Sequence, residues 1–65
     1  MFVIVNGETR PLPEARTLTA LLISLSPQAP FAVALNEEFV LRRDYEACHI
    51  SPCDRIDIVH PTAGG

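Results

Sequence analysis

Hydrophobic residues along the chain fall into short groups separated by turn formers, and the period within each group names an element. Met1 to Val5 is an apolar, β-branched run that meets Asn6-Gly7, a pair suited to a two-residue hairpin turn because both central residues need φ > 0. The return strand is predicted over Glu8 to Leu12, and Pro11 and Pro13, which cannot donate to a ladder, place it at a sheet edge. Thr17 caps a predicted helix in which Leu18, Leu21, Leu22 and Leu25 recur at i, i+3, i+4 and i+7 on one helical face. Ser26-Pro27-Gln28-Ala29-Pro30 ends that helix, since prolines and the residues before them disfavour its continuation.

Phe31 to Leu35 reads as a buried strand, followed by a turn at Asn36-Glu37-Glu38 and a second short apolar piece, Phe39-Val40-Leu41. Asp44 to Cys48 is expected to form a single helical turn. Asp54 opens a turn into Arg55 to His60, whose alternation puts Ile56 and Ile58 on one face. The leucine stripe needs a surface to cover, and one helix laid across one face of a mixed, four- to five-stranded sheet satisfies it. An early strand joined to a parallel neighbour by this helix makes a right-handed crossover. The expected class is α+β, in the β-grasp or ubiquitin-like arrangement, with a folded domain over residues 1–60 and a flexible tail over 61–65.

Composition narrows the function. A chain of 65 residues buries only about 60% of the surface that its unfolded form exposes, which leaves little room for an internal active site. Its net charge is −3, and it has five arginines and no lysine, so it lacks the basic footprint that nucleic acid requires. An acidic surface suits docking on basic surfaces of partner proteins. The apolar runs are far shorter than the roughly 20 residues that span a bilayer, and Met1 to Val5 has no positive flank. The expected setting is cytoplasmic, with Cys48 and Cys53 as reduced thiols and no membrane partner.

Cys48, His49, Cys53 and His60 are metal-ligand types, but their spacing matches no zinc pattern and no metal is expected. Tyr45 reads as a packing residue with a hydrogen-bonded hydroxyl, and Arg42-Arg43 as a solvated or partner-facing pair. The chemistry instead points to the end of the chain, His60-Pro61-Thr62-Ala63-Gly64-Gly65. Extended, six residues reach about 20 Å, enough to enter a neighbouring protein's cleft. Without a Cβ, Gly64 and Gly65 can thread a narrow channel. The group delivered there is a carboxylate, ionised at neutral pH and nucleophilic once held beside an electrophile.

Val33-Ala34-Leu35-Asn36, then Val40-Leu41-Arg42-Arg43-Asp44-Tyr45, then Asp54-Arg55-Ile56-Asp57-Ile58-Val59, closing on Gly64-Gly65, resembles the ThiS family of sulfur carriers in thiamine biosynthesis. The resemblance spans essentially the whole sequence. One departure is Cys53, where the family usually has glycine; if that turn needs φ > 0, the cysteine strains it by about 1 kcal/mol.

The resemblance implies that Gly65 is the sulfur-carrying residue, with Ala63, Gly64 and Gly65 threading into a partner. A ThiF-like adenylating enzyme using ATP would form an acyl-adenylate on Gly65. Sulfur from a cysteine desulfurase or other donor would convert it to a thiocarboxylate for a ThiG-like thiazole synthase. The domain would bind no cofactor and would not itself be an enzyme. Within the same chemistry, carriage for molybdopterin or cysteine synthesis is the alternative. Other classes are a ubiquitin-like protein modifier and a non-covalent binding module. Partner docking is expected on the helix-free sheet face, through Val59 with the outward pair of the first strand, either Phe2 and Ile4 or Val3 and Val5, with Phe2, Ile4 and Val59 named as the candidate residues. The alternative is a crossing loop that covers these residues.

Overall fold

The computed structural model describes residues 1–61. Five strands and one α-helix follow in the order β1 (Phe2–Val5), β2 (Glu8–Pro11), α1 (Leu18–Leu25), β3 (Ala32–Leu35), β4 (Glu38–Val40) and β5 (Arg55–Val59), with a 3-10 turn at Arg42–Asp44 before β5. The sheet order is β2-β1-β5-β3-β4. β1 and β5 run parallel, and the other neighbours are antiparallel. This is the mixed sheet with a single helix that the sequence pattern predicts, the β-grasp arrangement.

Local chemistry explains the elements. Asn6 and Gly7 both take positive φ, 48° and 82°, so the β1–β2 hairpin closes in two residues with Val5 opposite Glu8. Pro11 lies at the outer edge opposite Phe2, where its missing N–H leaves no ladder bond unmade. The β3–β4 hairpin uses the same device. Asn36 and Glu37 have φ of 49° and 71°, and Leu35 faces Glu38. The Thr17 side chain accepts a hydrogen bond from the Ala20 N–H at 3.2 Å, capping α1 as expected. At its other end Ser26 turns left-handed (φ 47°) while its N–H still bonds to Leu22 O, and the prolines follow.

The core is one cluster: Val3, Val5, Leu18, Leu21, Leu22, Val33, Ile50, Ile56 and Ile58. Leu18, Leu21 and Leu22 are buried and Leu25 packs partly against them, so the i, i+3, i+4, i+7 stripe does cover the sheet. Parallel pairing of Val5 with Ile56 and antiparallel pairing of Val33 with Ile58 put these side chains on the helix side. Ile50 completes the core from a loop tied to the helix start, where Leu18 N donates to Cys48 O at 2.9 Å and Ile50 N to Arg16 O at 2.9 Å.

Two expectations are corrected. The helical turn expected over Asp44 to Cys48 begins earlier, at Arg42–Asp44, and is a 3-10 turn. It continues through bonds from Tyr45 N to Arg42 O, Ala47 N to Asp44 O and Cys48 N to Tyr45 O, the i→i+3 pattern that a short connector of poor helical geometry adopts. The strands are also shorter than their apolar runs: Leu12, Phe31, Leu41 and His60 lie outside them. Among the described residues no helix is long and apolar enough to cross a membrane.

Candidate functional site

β5 is the central strand of the sheet and leads directly to the C-terminal segment. It is held on both sides by asparagine side chains. Asn36, at the end of β3, accepts from Arg55 N through Oδ1 at 2.9 Å and donates from Nδ2 to Asp54 Oδ1 at 3.1 Å, while its own N–H donates to Arg55 O at 2.8 Å. Asn6, at the end of β1, accepts from Ile58 N at 2.8 Å and donates to Ile58 O at 3.3 Å, and its N–H bonds to Ile56 O at 2.9 Å. Each asparagine thus continues a ladder past the end of its own strand. One grips the start of β5 and the other its exit, two residues before His60.

The turn into β5 is built from Ser51 to Asp54. Asp54 Oδ2 accepts from Ser51 N at 2.8 Å, and Cys53 N donates to Phe2 O at 2.8 Å. Cys53 has φ of 71°, the conformation that suits the glycine expected there, so the cysteine carries a strain of about 1 kcal/mol. Its side chain is exposed, whereas Cys48 is half-buried; neither is in a disulfide. Desolvation raises the Cys48 thiol pKa above its ordinary value, and Asp54 and Asp44 add to the effect. The Cys48 side chain is therefore biased against the nucleophilic thiolate. Among the described residues no three His, Cys, Asp or Glu side chains gather where they could hold a metal ion.

The sheet face opposite the helix carries the residues assigned to docking. Phe2 is 43% and Val59 47% exposed, while Val3 and Val5 are buried, so the outward pair of β1 is Phe2 and Ile4. They do not form one patch with Val59. Ile4 is level with Arg55 on β5, and Val59 lies four residues further along, about 13 Å away, with Asp57 between on the same face. Val59 is instead level with Ala32, and Ala34 on the same face pairs with Phe39. Phe39, level with Asp57, is 71% exposed and Leu41, just after β4, 57% exposed, so exposed apolar residues extend from Val59 and Ala32 to the β4 edge of the sheet. Phe39 and Leu41 escaped the sequence reading. The two-residue Asn36-Glu37 turn fixes their register, and alternation from it sends Val40 inward and Phe39 outward. Ala63, Gly64 and Gly65, assigned to threading and sulfur carriage, lie outside the described residues.

The sequence model of the ThiS family matches residues 3–65. Among solved structures, the chain is similar to the crystal structure of the thiamine biosynthesis protein ThiS from Geobacter metallireducens, at 26% identity and a TM-score of 0.83, with 100% of each chain covered. It is also similar to the solution structure of a thiamine biosynthesis protein from Geobacter metallireducens, at 26% identity and a TM-score of 0.75, covering 100% of this chain and 88% of the other. No curated protein matches the sequence. The family match takes in both asparagine clamps, β5 and the terminal glycines, and the same topology recurs in the solved relatives: the chain belongs to the ThiS family.

Proposed function

We propose that this protein is the sulfur carrier for thiazole formation in thiamine biosynthesis and that Gly65 is the residue that carries the sulfur. The observation that supports this most directly is the family match, which runs through Gly64 to Gly65. In the proposed cycle the Gly65 carboxylate attacks the α-phosphorus of ATP on a ThiF-like adenylating enzyme, releasing pyrophosphate. The resulting acyl-adenylate is a mixed anhydride that a sulfur nucleophile opens, and AMP leaves: hydrosulfide gives the thiocarboxylate directly, whereas a persulfide supplied through a cysteine desulfurase gives an acyl disulfide, from which a second thiol, itself becoming a disulfide, frees the thiocarboxylate. The thiocarboxylate then gives up its sulfur on a ThiG-like thiazole synthase, and the carrier returns. ATP is the adenylating enzyme's substrate, and catalytic groups reside on the partners, so the carrier is a regenerated substrate and not a catalyst.

The domain contributes recognition and a rigid origin for the tail. The two asparagine clamps hold β5 in register, which limits where the chain can leave the sheet. Val59, Phe39 and Leu41 form the proposed docking patch beside that exit, and Phe2 and Ile4 a separate apolar area at the far end of β1. Incubation with ATP, a cognate adenylating enzyme and a sulfur source should exchange one oxygen for sulfur at Gly65, read by intact mass and fragmentation. Absence of adenylate and of exchange with a proven active enzyme refutes the carrier reading. Val59→Asp and Phe39→Asp should each raise the KM for adenylation by about tenfold, since charge is placed in an apolar contact; an unchanged KM in folded protein sinks the patch.

A further inference from the structure

The two free edges of the sheet differ. β2 and β4 are its outermost strands, and such a strand presents unpaired N–H and C=O groups to any chain that can lie beside it. On β2 the outward groups belong to Thr9 and Pro11, because Glu8 closes the hairpin opposite Val5 and Leu12 N donates to Met1 O at 3.1 Å, and alternate residues bond on alternate sides. Pro11 has no N–H, so that edge is interrupted. β4 has no such interruption. On β3 the N–H of Asn36 points to β5, donating to Arg55 O at 2.8 Å, so Leu35 and Val33 bond instead to their partners Glu38 and Val40. The N–H and C=O of Phe39 therefore point away from the sheet. Leu41 follows in extended backbone, φ −70° and ψ 145°, so its N–H points the same way, and it makes no backbone bond among the described residues.

Side chains along this edge complete the pattern. Residues 37–43 read Glu-Glu-Phe-Val-Leu-Arg-Arg, acidic at one end, apolar in the middle and basic at the other. Laid antiparallel on a second copy about Val40, the segment is its own complement: Phe39 lies opposite Leu41 and Glu38 opposite Arg42, each pair occurring twice. An axis at Phe39 would set Glu38 against Val40 and lose both charge pairs. Hydrogen bonding selects the same register. Val40, whose own groups face β3, meets its copy as a non-hydrogen-bonded pair, and Phe39 and Leu41 form the bonded pairs on either side, the N–H of each donating to the C=O of the other. Leu41 C=O already accepts from Asp44 N at 2.8 Å and has a second lone pair to offer.

The faces agree as well. Phe39 and Leu41 are exposed and would cover each other on the helix-free face. Glu38 shares the face of Val40 by alternation, and Arg42 lines a depression with Leu22 and Tyr45 on that same side. Within one copy neither is in an ion pair, the sole pair among the described residues being Arg10 with Glu8. We propose that two copies of this protein pair antiparallel through β4, about a two-fold axis at Val40, joining their sheets into one. The pairing does not depend on the carrier reading, but it covers Phe39 and Leu41, so the dimer and a partner docked on those residues exclude each other. A contact of this length buries less than about 1,200 Å² in total and should be weak, with a dissociation constant of about 10–100 μM.

Sedimentation equilibrium of the full chain, over concentrations that bracket this value, should show monomer and dimer. Glu38→Arg and Arg42→Glu each set like charges opposite one another at both ends of the contact and should weaken it about tenfold. Both substitutions in one chain should restore it to within about threefold, and an equimolar mixture of the two single variants should form a heterodimer. The positions are exposed, so circular dichroism and urea midpoints should match the parent. Amide hydrogen exchange at Phe39 and Leu41 should slow as the parent concentration rises. A parent that stays monomeric overturns the proposal, as do single variants that associate like the parent. Weakening that neither the double variant nor the mixture repairs also overturns it, because the charges then do not face each other across the axis. A dimer that protects the Thr9 amide and leaves Phe39 and Leu41 unprotected places the contact on β2 and overturns it too.

Discussion

Replacing Asn6 tests whether the exit of β5 is held by side-chain bonds. Asn6 makes two bonds to the backbone of Ile58, at 2.8 Å and 3.3 Å, and does so from φ of 48°. Asn6→Gly keeps the conformation and removes both bonds, each contributing about 1 kcal/mol in a half-buried setting, so it should cost about 2 kcal/mol. Asn6→Ala removes the same bonds and adds left-handed strain; allowing for the greater unfolded-state entropy of glycine, it should cost roughly 0.5–1 kcal/mol more. A domain of this size has a total stability of roughly 3–10 kcal/mol, so either change is a large fraction. With a urea m-value of about 1 kcal/mol/M, the midpoint should fall by about 2 M for glycine and 2–3 M for alanine, followed by circular dichroism. The Ile58 amide should also exchange with deuterium faster in both variants. A glycine variant as stable as the parent, or an alanine variant no worse than the glycine one, refutes the clamp and its backbone component respectively.

Leu18→Ala opens a cavity in a fully buried position and should cost about 2–5 kcal/mol, leaving much of the protein unfolded at 25 °C by circular dichroism; a native spectrum with an unshifted urea midpoint contradicts the packing described. Exposed Cys53 should be alkylated by iodoacetamide before Cys48, and the Cys48 rate should keep rising at pH above the ordinary thiol pKa, because its raised pKa keeps it protonated there. Peptide mapping after timed alkylation across a pH series checks this, and equal rates for the two cysteines at every pH contradict it.

Local patterns in the sequence were enough for much of the fold. Asn6-Gly7 names a hairpin through its φ requirement, the leucine spacing names a helix with one covered face, and Thr17 with Pro27 and Pro30 bounds it. Cys53 reads as a strained turn residue from comparison with the family glycine, and its φ of 71° accords with that. These features depend on neighbours in the chain, which a sequence displays. The 3-10 turn at Arg42–Asp44 was misplaced because Arg42-Arg43-Asp44-Tyr45 has no apolar period; its bonds are set by where the chain must arrive to bury Ile50.

For the candidate site, the sequence by itself determined the family, through a pattern that matches ThiS over residues 3–65, Gly64-Gly65 included, in an acidic chain without lysine. Only the tertiary structure decided which residues surround the exit of β5. That Asn6 reaches Ile58, 52 positions away, follows from the parallel pairing of β1 with β5. The same register separates Val59 from Phe2 and Ile4 and sets it beside Ala32, with Phe39 beside Ala34 on the same face. Pairing register is a property of distant segments meeting, and alternation within one strand fixes only which residues share a face, not which strand lies beside them or at what level.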